Sequence, residues 1–316
     1  MSDRFDLVCV GFTVLDVLAR HIDRLPAPDE SMLVDEIRLT AAGTAAGPAV
    51  IASRLGLSTR LIGSVGDDRM GDVVMRALCE ENVDVEAMQI QQGVRTSTSI
   101  LPITKQGDRP SFHAPGASLL LELKPPFEPA LGSRFLHYGG AGLHPRFDGE
   151  PARDLLQQAK ARGTTVTCDV IAATADTLAS LEPILPFVDY FMPSAQEAMT
   201  IASKATVVEA ARVFLELGAG ACVFKDGARG SLLIQNETEK RVPAFEVDVV
   251  DTTGCGDSYC AGFIAALRHG LGLEAACRFG AGTAARVATG LGSDAGISSY
   301  GATVRAIENM PDRKPE

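Results

Sequence analysis

The chain has 316 residues, of which 46% are hydrophobic, and it therefore has enough apolar material for one large α/β unit with a small appendage. A net charge of −11 argues against nucleic acid and anionic membranes as partners, and no apolar run reaches the ~18 residues of a membrane-spanning helix. Residues 1–5 show no basic segment followed by an apolar stretch, and the seven cysteines form no C-x-x-C pair. Both features favour a reducing, cytoplasmic location without disulfides or a zinc site.

The N-terminal part of the chain alternates predicted strands with glycine-rich turns. Residues 6–11 indicate a buried strand, and residues 32–39 alternate as a half-exposed strand does. Residues 41–56 predict a helix with a small-residue start and a glycine end. Strands at 96–103 and 109–113 around a Gln-Gly-Asp turn predict a β-hairpin. Asp16, which follows the first strand, is on its own most simply a turn or cap residue.

Strand and helix patterns alternate regularly from residue 134 onward. Predicted strands lie at 134–138, 164–169, 187–192 and 221–225, and predicted helices at 148–162, 257–269 and 273–289. Ser194-Ala-Gln-Glu197 has the pattern of a capping box at the start of a further helix. This order predicts a doubly wound, mainly parallel α/β sheet flanked by helices, with ligands at the carboxyl ends of the strands.

The stretch from Asp251 to Asp257, Asp-Thr-Thr-Gly-Cys-Gly-Asp, joins an apolar run to an alanine-rich segment. Its glycines let successive backbone N–H groups turn toward one point, and the start of a helix favours an anion there. Asp257 would place a carboxylate beside that anion, where it could take a proton from a hydroxyl during phosphoryl transfer. The simpler alternative is a tight loop in which Asp257 caps the helix.

This stretch resembles the C-terminal signature of the ribokinase-like (PfkB) sugar kinase family, and residues 41–56 are similar to its N-terminal signature. The resemblance implies a single ribokinase-like domain over residues 1–316, with a small β-sheet lid formed by residues 12–40 and 93–116. It implies an ATP-dependent kinase that transfers the γ-phosphoryl group to a primary hydroxyl of a small sugar or sugar derivative. The implied cofactors are ATP and Mg²⁺, with K⁺ as a further candidate, and a homodimer through the lid is a candidate assembly.

The resemblance also assigns roles to individual residues. Asp257 becomes the catalytic base, in an anion hole formed with Gly254, Cys255 and Gly256. The other positions are Asp16, Gly43 and Gly47 for the acceptor, Lys225, Gly227, Gly230 and Gly292 for the nucleotide, Glu197 for Mg²⁺, and Asp251 with Thr253 for a monovalent cation.

Two positions depart from the family pattern. Val14 and Gly47 stand where the family often has asparagine, so two polar contacts to a sugar are absent. We therefore expect a less polar acceptor pocket, in which the space at Gly47 admits a bulkier or anionic substituent. Because a helix N-terminus lowers the pKa of a thiol, we also expect Cys255 to be sensitive to alkylation.

Three alternatives stay open. The acceptor could be a nucleoside, although the lid offers few aromatic side chains for base stacking. A non-catalytic binding protein on the kinase fold would suit the lost asparagines, but not the intact stretch from Gly254 to Asp257. The basic residues of the lid are either solvated charges or a grip on an anionic group of the substrate; they are Arg38, Arg95, Lys105 and Arg109.

Overall fold

The computed structural model describes residues 5–236 and 238–314. The expectation about a secretory signal rests mainly on residues 1–4, which lie outside this range. The strands of the described residues are β1 (Leu7–Gly11), β2 (Val14–Arg20), β3 (Glu36–Ala42), β4 (Thr59–Ile62), β5 (Ser64–Gly66), β6 (Gln89–Gln91), β7 (Thr98–Ile103), β8 (Phe112–Ala114), β9 (Phe135–Gly139), β10 (Thr165–Asp169), β11 (Tyr190–Phe191), β12 (Ala221–Lys225), β13 (Ser231–Gln235) and β14 (Thr238–Val242). The α-helices are α1 (Ala46–Arg54), α2 (Arg69–Glu80), α3 (Glu150–Ala161), α4 (Thr177–Leu181), α5 (Ala195–Ala202), α6 (Val207–Glu216), α7 (Cys255–Arg268), α8 (Leu273–Ala288) and α9 (Tyr300–Glu308).

Eight strands form the central sheet in the order β14-β13-β12-β11-β10-β9-β1-β4. The strands from β12 to β4 in this order run parallel to one another. Two hairpins, β12-β13 and β13-β14, add antiparallel strands at one edge. The predicted doubly wound, mainly parallel sheet is thereby confirmed.

The sheet is covered by helices on both faces, which explains why its strands are apolar at consecutive positions. Leu7 and Cys9 of β1 belong to a hydrophobic cluster with residues of α1, α7 and α8. Val8 and Val10 of the same strand belong to a second cluster with residues of α3, α5 and α6. The core therefore lies in two layers, one on each side of the sheet.

A second sheet of four strands, in the order β3-β2-β7-β8, has one polar and one apolar face. We call it the lid. Its cross-strand register places four polar residues in one row, which are Thr40, Asp16, Ser99 and His113. The neighbouring register positions, whose side chains point to the opposite face, form an apolar row of Leu39, Val17, Ile100 and Phe112. Thr40, Asp16 and Ser99 of the polar row are buried, whereas the apolar row is largely exposed.

The base of the lid is tied to the loop that follows α8. Arg38 of β3 donates hydrogen bonds to the carbonyl of Leu291 (2.6 Å) and to the Asp294 carboxylate (2.9 Å). Asp294 also accepts from Arg54 of α1 at 2.6 Å. Arg38 thus links the lid to the loop that follows α8.

Most predicted elements agree with the structure, with three corrections. The strand expected at 109–113 begins only at Phe112 and continues to Ala114. The predicted strand at 187–192 is only Tyr190–Phe191, because Leu185–Phe187 close into a 3₁₀ turn. The strand expected at 32–39 begins later, at Glu36, and continues to Ala42. Among the residues that the structure describes, no helix has the length and apolar character needed to cross a membrane.

Candidate active site

The candidate active site is a cleft of about 640 Å³ at the carboxyl ends of the parallel strands. β10 ends there with Asp169 and β12 with Lys225, and α7 begins there with Cys255. The segment between β7 and β8 reaches the same cleft through Arg109. The sheet, a helix N-terminus and the lid thus bring their polar groups to one place, where a doubly wound sheet is expected to bind ligands.

The N-terminus of α7 is open toward the cleft. Its N-cap residue Gly254 has φ +72 and provides no side-chain cap. A Cβ at Gly254 would lie 2.3 Å from the Cβ of Ser293, so both this turn and this close approach require glycine. The N–H groups of Gly256 and Asp257 belong to the first turn, where a helix supplies no acceptor, and they are available to an anion. The alternative that Asp257 serves as the helix cap is wrong.

The side chain of Asp257 lines the cleft from the first turn of α7. Burial raises its pKa to about 7, and the negative charge of Asp169 acts in the same direction. The positive charges of Lys225 and Arg109 oppose this rise. A carboxyl group whose pKa lies near neutral pH is well matched to the role of a general base.

Gly47, near the start of α1, lies directly against Asp257. A Cβ at position 47 would be 2.9 Å from the Cβ of Asp257 and 3.0 Å from its Oδ2. A side chain here would therefore push the carboxylate aside. The expectation that the space at Gly47 admits a substituent of the substrate is corrected, since Asp257 occupies that space.

Lys225 forms a buried ion pair with Asp169 beside the anion hole. Its Nζ donates to Asp169 Oδ2 at 2.5 Å, and a Cβ at Gly256 would lie 3.5 Å from the same Nζ. Burial alone would lower the pKa of Lys225, but the Asp169 carboxylate, together with Cys260 and Glu197, outweighs burial and raises it. The ammonium group is thus kept charged next to the N–H groups of α7. Sequence reasoning assigned no role to Asp169, although its place at the end of a predicted strand was a usable signal.

Glu197 forms the predicted capping box and also lines the cleft. With Ser194 it forms the predicted capping box: Glu197 Oε2 accepts from the Ser194 N–H at 3.0 Å and from its hydroxyl at 2.6 Å. The same side chain lines the cleft, and burial, together with Asp169, raises its pKa. Its other oxygen, Oε1, is not used by the capping box. This oxygen fits a metal position, because Mg²⁺ commonly binds proteins through one or two carboxylates and retained water.

Asp251 joins the loop before α7 to the loop after α8. Its Oδ1 accepts from the N–H (2.8 Å) and hydroxyl (2.7 Å) of Thr253, and its Oδ2 accepts from the N–H of Gly292 (2.9 Å). The residue is fully buried, and each of these donors is neutral. A buried carboxylate without a bonded cationic side chain fits a site for a monovalent cation.

The acceptor residues lie beside these groups on the lid and on α1. Asp16 is 7% exposed, and its pKa is raised to about 7 by burial and by the charge of Asp257, while Ser99 and Arg109 oppose the rise. The neighbouring Thr40 has a buried hydroxyl with no hydrogen-bond partner among the described residues. Sequence reasoning missed Thr40 and Ser99, because their position next to Asp16 follows only from strand register.

The predicted nucleotide positions fall in two places. Gly227 and Gly230, in the turn between β12 and β13, line the cleft together with Lys225. Gly292 lies elsewhere, at the base of the lid, where a Cβ would be 3.3 Å from the Thr40 side chain. An apolar wall continues the cleft away from Asp257 and is built by Phe245, Val247, Val249, Ala281, Ala284, Ala285 and Ala288.

The expectation of a reactive thiol at Cys255 is wrong. Its Sγ contacts the carbonyl of Ala284, in the apolar wall of the cleft, at 3.6 Å. Burial raises the pKa of the thiol to about 12, which outweighs the effect of the helix N-terminus.

Comparison with known proteins agrees with this geometry. The model of the pfkB family carbohydrate kinases matches residues 4–299, and the chain therefore belongs to this family of kinases. It is 29% identical over 311 residues to a nucleoside kinase of Methanothermobacter thermautotrophicus, covering 96% of each chain. It is 30% identical to a fructokinase of Klebsiella pneumoniae, over 72% of this chain and 78% of the relative. The fold is similar to that of Arabidopsis thaliana ribokinase complexed with ribose and ATP, with a TM-score of 0.80 at 21% identity over 97% and 99% of the two chains.

Proposed function

We propose that the protein transfers the γ-phosphoryl group of ATP to a primary hydroxyl of a small sugar or sugar derivative, with Asp257 as the general base. The proposal rests on one observation: Asp257 lies in the first turn of α7, whose N-terminus has no side-chain cap. A base and an anion site on one helical turn suit a reaction in which a hydroxyl loses a proton as a phosphoryl group arrives. The family match and the ATP-bound ribokinase of similar fold support the same reaction.

Some residues of the cleft would bind the acceptor, and others would bind the phosphates. Asp16 would hold a hydroxyl of the acceptor, and Asp257 would take the proton of the attacking hydroxyl. The first-turn N–H groups of α7 and the Lys225 ammonium would stabilise the charge on the transferring group. Glu197 would hold Mg²⁺, which when bound neutralises phosphate charge. The apolar wall that includes Val247 and Ala285 would receive the nucleotide base.

The acceptor class is tested by a phosphoryl-transfer screen over sugars, sugar acids and nucleosides with Mg-ATP. We expect a sugar or sugar derivative to be phosphorylated fastest, with the product identified by ³¹P NMR. Ribose should not be the preferred acceptor, because the buried Val14 packs with Phe12 and Ala42 and offers no polar contact. A wide preference for ribose would contradict the less polar pocket, and transfer to no acceptor would contradict the proposed function.

A nucleoside is the second candidate acceptor, and one observation favours it. The ring centroids of Phe12 and His113 lie 5.9 Å apart, and His113 Nδ1 forms a hydrogen bond with the Ser99 hydroxyl at 3.1 Å. These rings stand next to the polar row that contains Asp16 and could stack on a base. The related nucleoside kinase supports the same candidate. Binding without catalysis is disfavoured by the family match and by the intact anion hole.

The cation requirements test the two metal assignments. We propose that activity needs Mg²⁺ at Glu197 and that K⁺ at Asp251 and Thr253 raises the rate. Full turnover in excess chelator would contradict the first assignment. Equal rates in K⁺, Na⁺ and a bulky organic cation would contradict the second.

We also propose that the protein forms a homodimer through its lid. The apolar row exposes three large side chains on one face of the sheet: Leu39 by 50%, Ile100 by 53% and Phe112 by 59%. A contiguous apolar row of this kind is typical of an interaction surface. A second copy of the same face would cover it.

A further inference from the structure

The tip of the hairpin between β7 and β8 lies over the loop that leads into the anion hole. A Cβ at Gly107 would lie 3.2 Å from Val249 Cγ1. Two residues further on, Arg109 Nε donates to the hydroxyl of Thr252 at 3.2 Å. The lid therefore contacts the segment 249–252 directly and brings a guanidinium group to the edge of the cleft.

The guanidinium of Arg109 keeps most of its hydrogen-bonding capacity unused. Of its five N–H donors, only the one on Nε has a partner in the described part of the chain, and no carboxylate there forms an ion pair with it. Two of the other lid cations are paired, Arg38 with Asp294 and Lys105 with Asp23. Arg109 lines the same cleft as Asp257 and Lys225. An unpaired cation with free donors at this place is suited to an anionic ligand.

The charge of Arg109 acts on groups at the start of α7 and on the lid. It opposes the rise in the pKa of Asp257, Asp16 and Cys255 that burial causes. Arg109 lines the same cleft as Lys225, which lies beside Gly256.

We propose that Arg109 is a catalytic residue that binds the phosphoryl group during its transfer. This inference rests on the proposed kinase reaction. In that reaction the acceptor oxygen forms a bond to the γ-phosphorus while the bond to the bridging oxygen of ADP breaks, and ADP leaves with the electron pair. The proton of the acceptor hydroxyl passes to Asp257. The N–H groups of α7, Lys225 and Arg109 would together stabilise the negative charge of the transferring group.

The contact with Thr252 decides between this role and a grip on an anionic acceptor. Thr252 is two residues before Gly254, the N-cap of the anion hole. No hydrogen bond within residues 5–236 and 238–314 joins Arg109 to the polar row of the lid, where the acceptor would bind. The guanidinium group of Arg109 is thus held at the phosphate end of the site. Since the lid carries it, the cation is in place only when the hairpin covers the cleft.

The test compares Arg109→Gln and Arg109→Ala with Lys105→Gln. The control removes the same charge from the same hairpin, but from a side chain that is paired with Asp23 and is not among the residues lining the cleft. We expect the Arg109 variants to lower kcat by about 10²–10³-fold, as loss of a transition-state donor does. The KM values for ATP and acceptor should stay within about threefold, because the interaction is made mainly in the transition state. Millimolar guanidinium should restore part of the activity of Arg109→Ala, and Lys105→Gln should behave as wild type.

Binding of MgADP with aluminium fluoride, which mimics the transferring group, gives a readout that needs no acceptor. Arg109→Gln should weaken this complex by about tenfold or more while leaving MgADP binding nearly unchanged. Unchanged kcat, or a raised acceptor KM at unchanged kcat, would overturn the proposal, the latter in favour of an acceptor anion. If wild type binds the mimic but transfers phosphoryl to no acceptor, the proposed function fails and the mimic still decides the role of Arg109.

Discussion

Lys225 and Asp169 form a buried ion pair. Its contribution to stability and its contribution to catalysis can be measured separately. We predict that Lys225→Met unfolds more easily by about 3–5 kcal/mol, because it leaves the Asp169 carboxylate, only 2% exposed, without its partner. The double variant Lys225→Met/Asp169→Leu should recover most of that stability in urea unfolding. Its turnover should stay low, because the ammonium beside Gly256 is lost. Recovery of turnover together with stability would show that the pair is structural only.

The close contact between Gly47 and Asp257 leads to a second prediction about a single residue. Gly47→Ala should lower kcat by about ten- to a hundredfold, since a Cβ 2.9 Å from the Cβ of Asp257 displaces the base. The matched control is Gly272→Ala, where φ is −70 and a Cβ would meet no atom within 4 Å. Kinetics of both variants check this. Equal and unchanged rates would mean that the carboxylate tolerates displacement.

At the scale of elements, two helices begin with the same capping box in different surroundings. Ser194 and Glu197 start α5 inside the cleft, whereas Thr206 and Glu209 start α6 at the surface. We predict that Glu197→Gln and Glu209→Gln both change stability by about 1 kcal/mol or less, as loss of part of a cap does. Only Glu197→Gln should raise the Mg²⁺ concentration needed for half-maximal activity. A Mg²⁺ titration in which the two variants behave alike would remove Glu197 from the metal site.

The elements also show what the sequence could predict and why. The individual strands and the start of α7 could be predicted, because each depends on residues that are close in sequence, as from Gly254 to Asp257. The position of Asp169 beside Lys225 could not, because it depends on β10 and β12 lying two strands apart with β11 between them. The thiol of Cys255 was misjudged for a related reason. A motif fixes the position of a backbone on a helix but not the direction of its side chain, which here contacts Ala284.

For the whole molecule, the exposed row of the lid predicts the assembly. Light scattering after size exclusion should give twice the chain mass of 33.2 kDa for wild type. Phe112→Asp should give the monomer mass, because it places a charge in the exposed apolar row of the proposed interface. Leu271→Ser, which removes an exposed apolar side chain away from the lid, should remain a dimer. A monomeric wild type would contradict the lid interface.

The central claim for the whole molecule is that Asp257 is the base of a kinase. Asp257→Asn keeps the size of the side chain and removes its ability to take a proton. The measurement is the turnover of purified, folded Asp257→Asn with Mg-ATP and the best acceptor. We predict a fall of roughly 10²–10⁴-fold, the usual contribution of general base catalysis, with a much smaller change in ATP affinity. Turnover close to that of wild type would contradict the assignment.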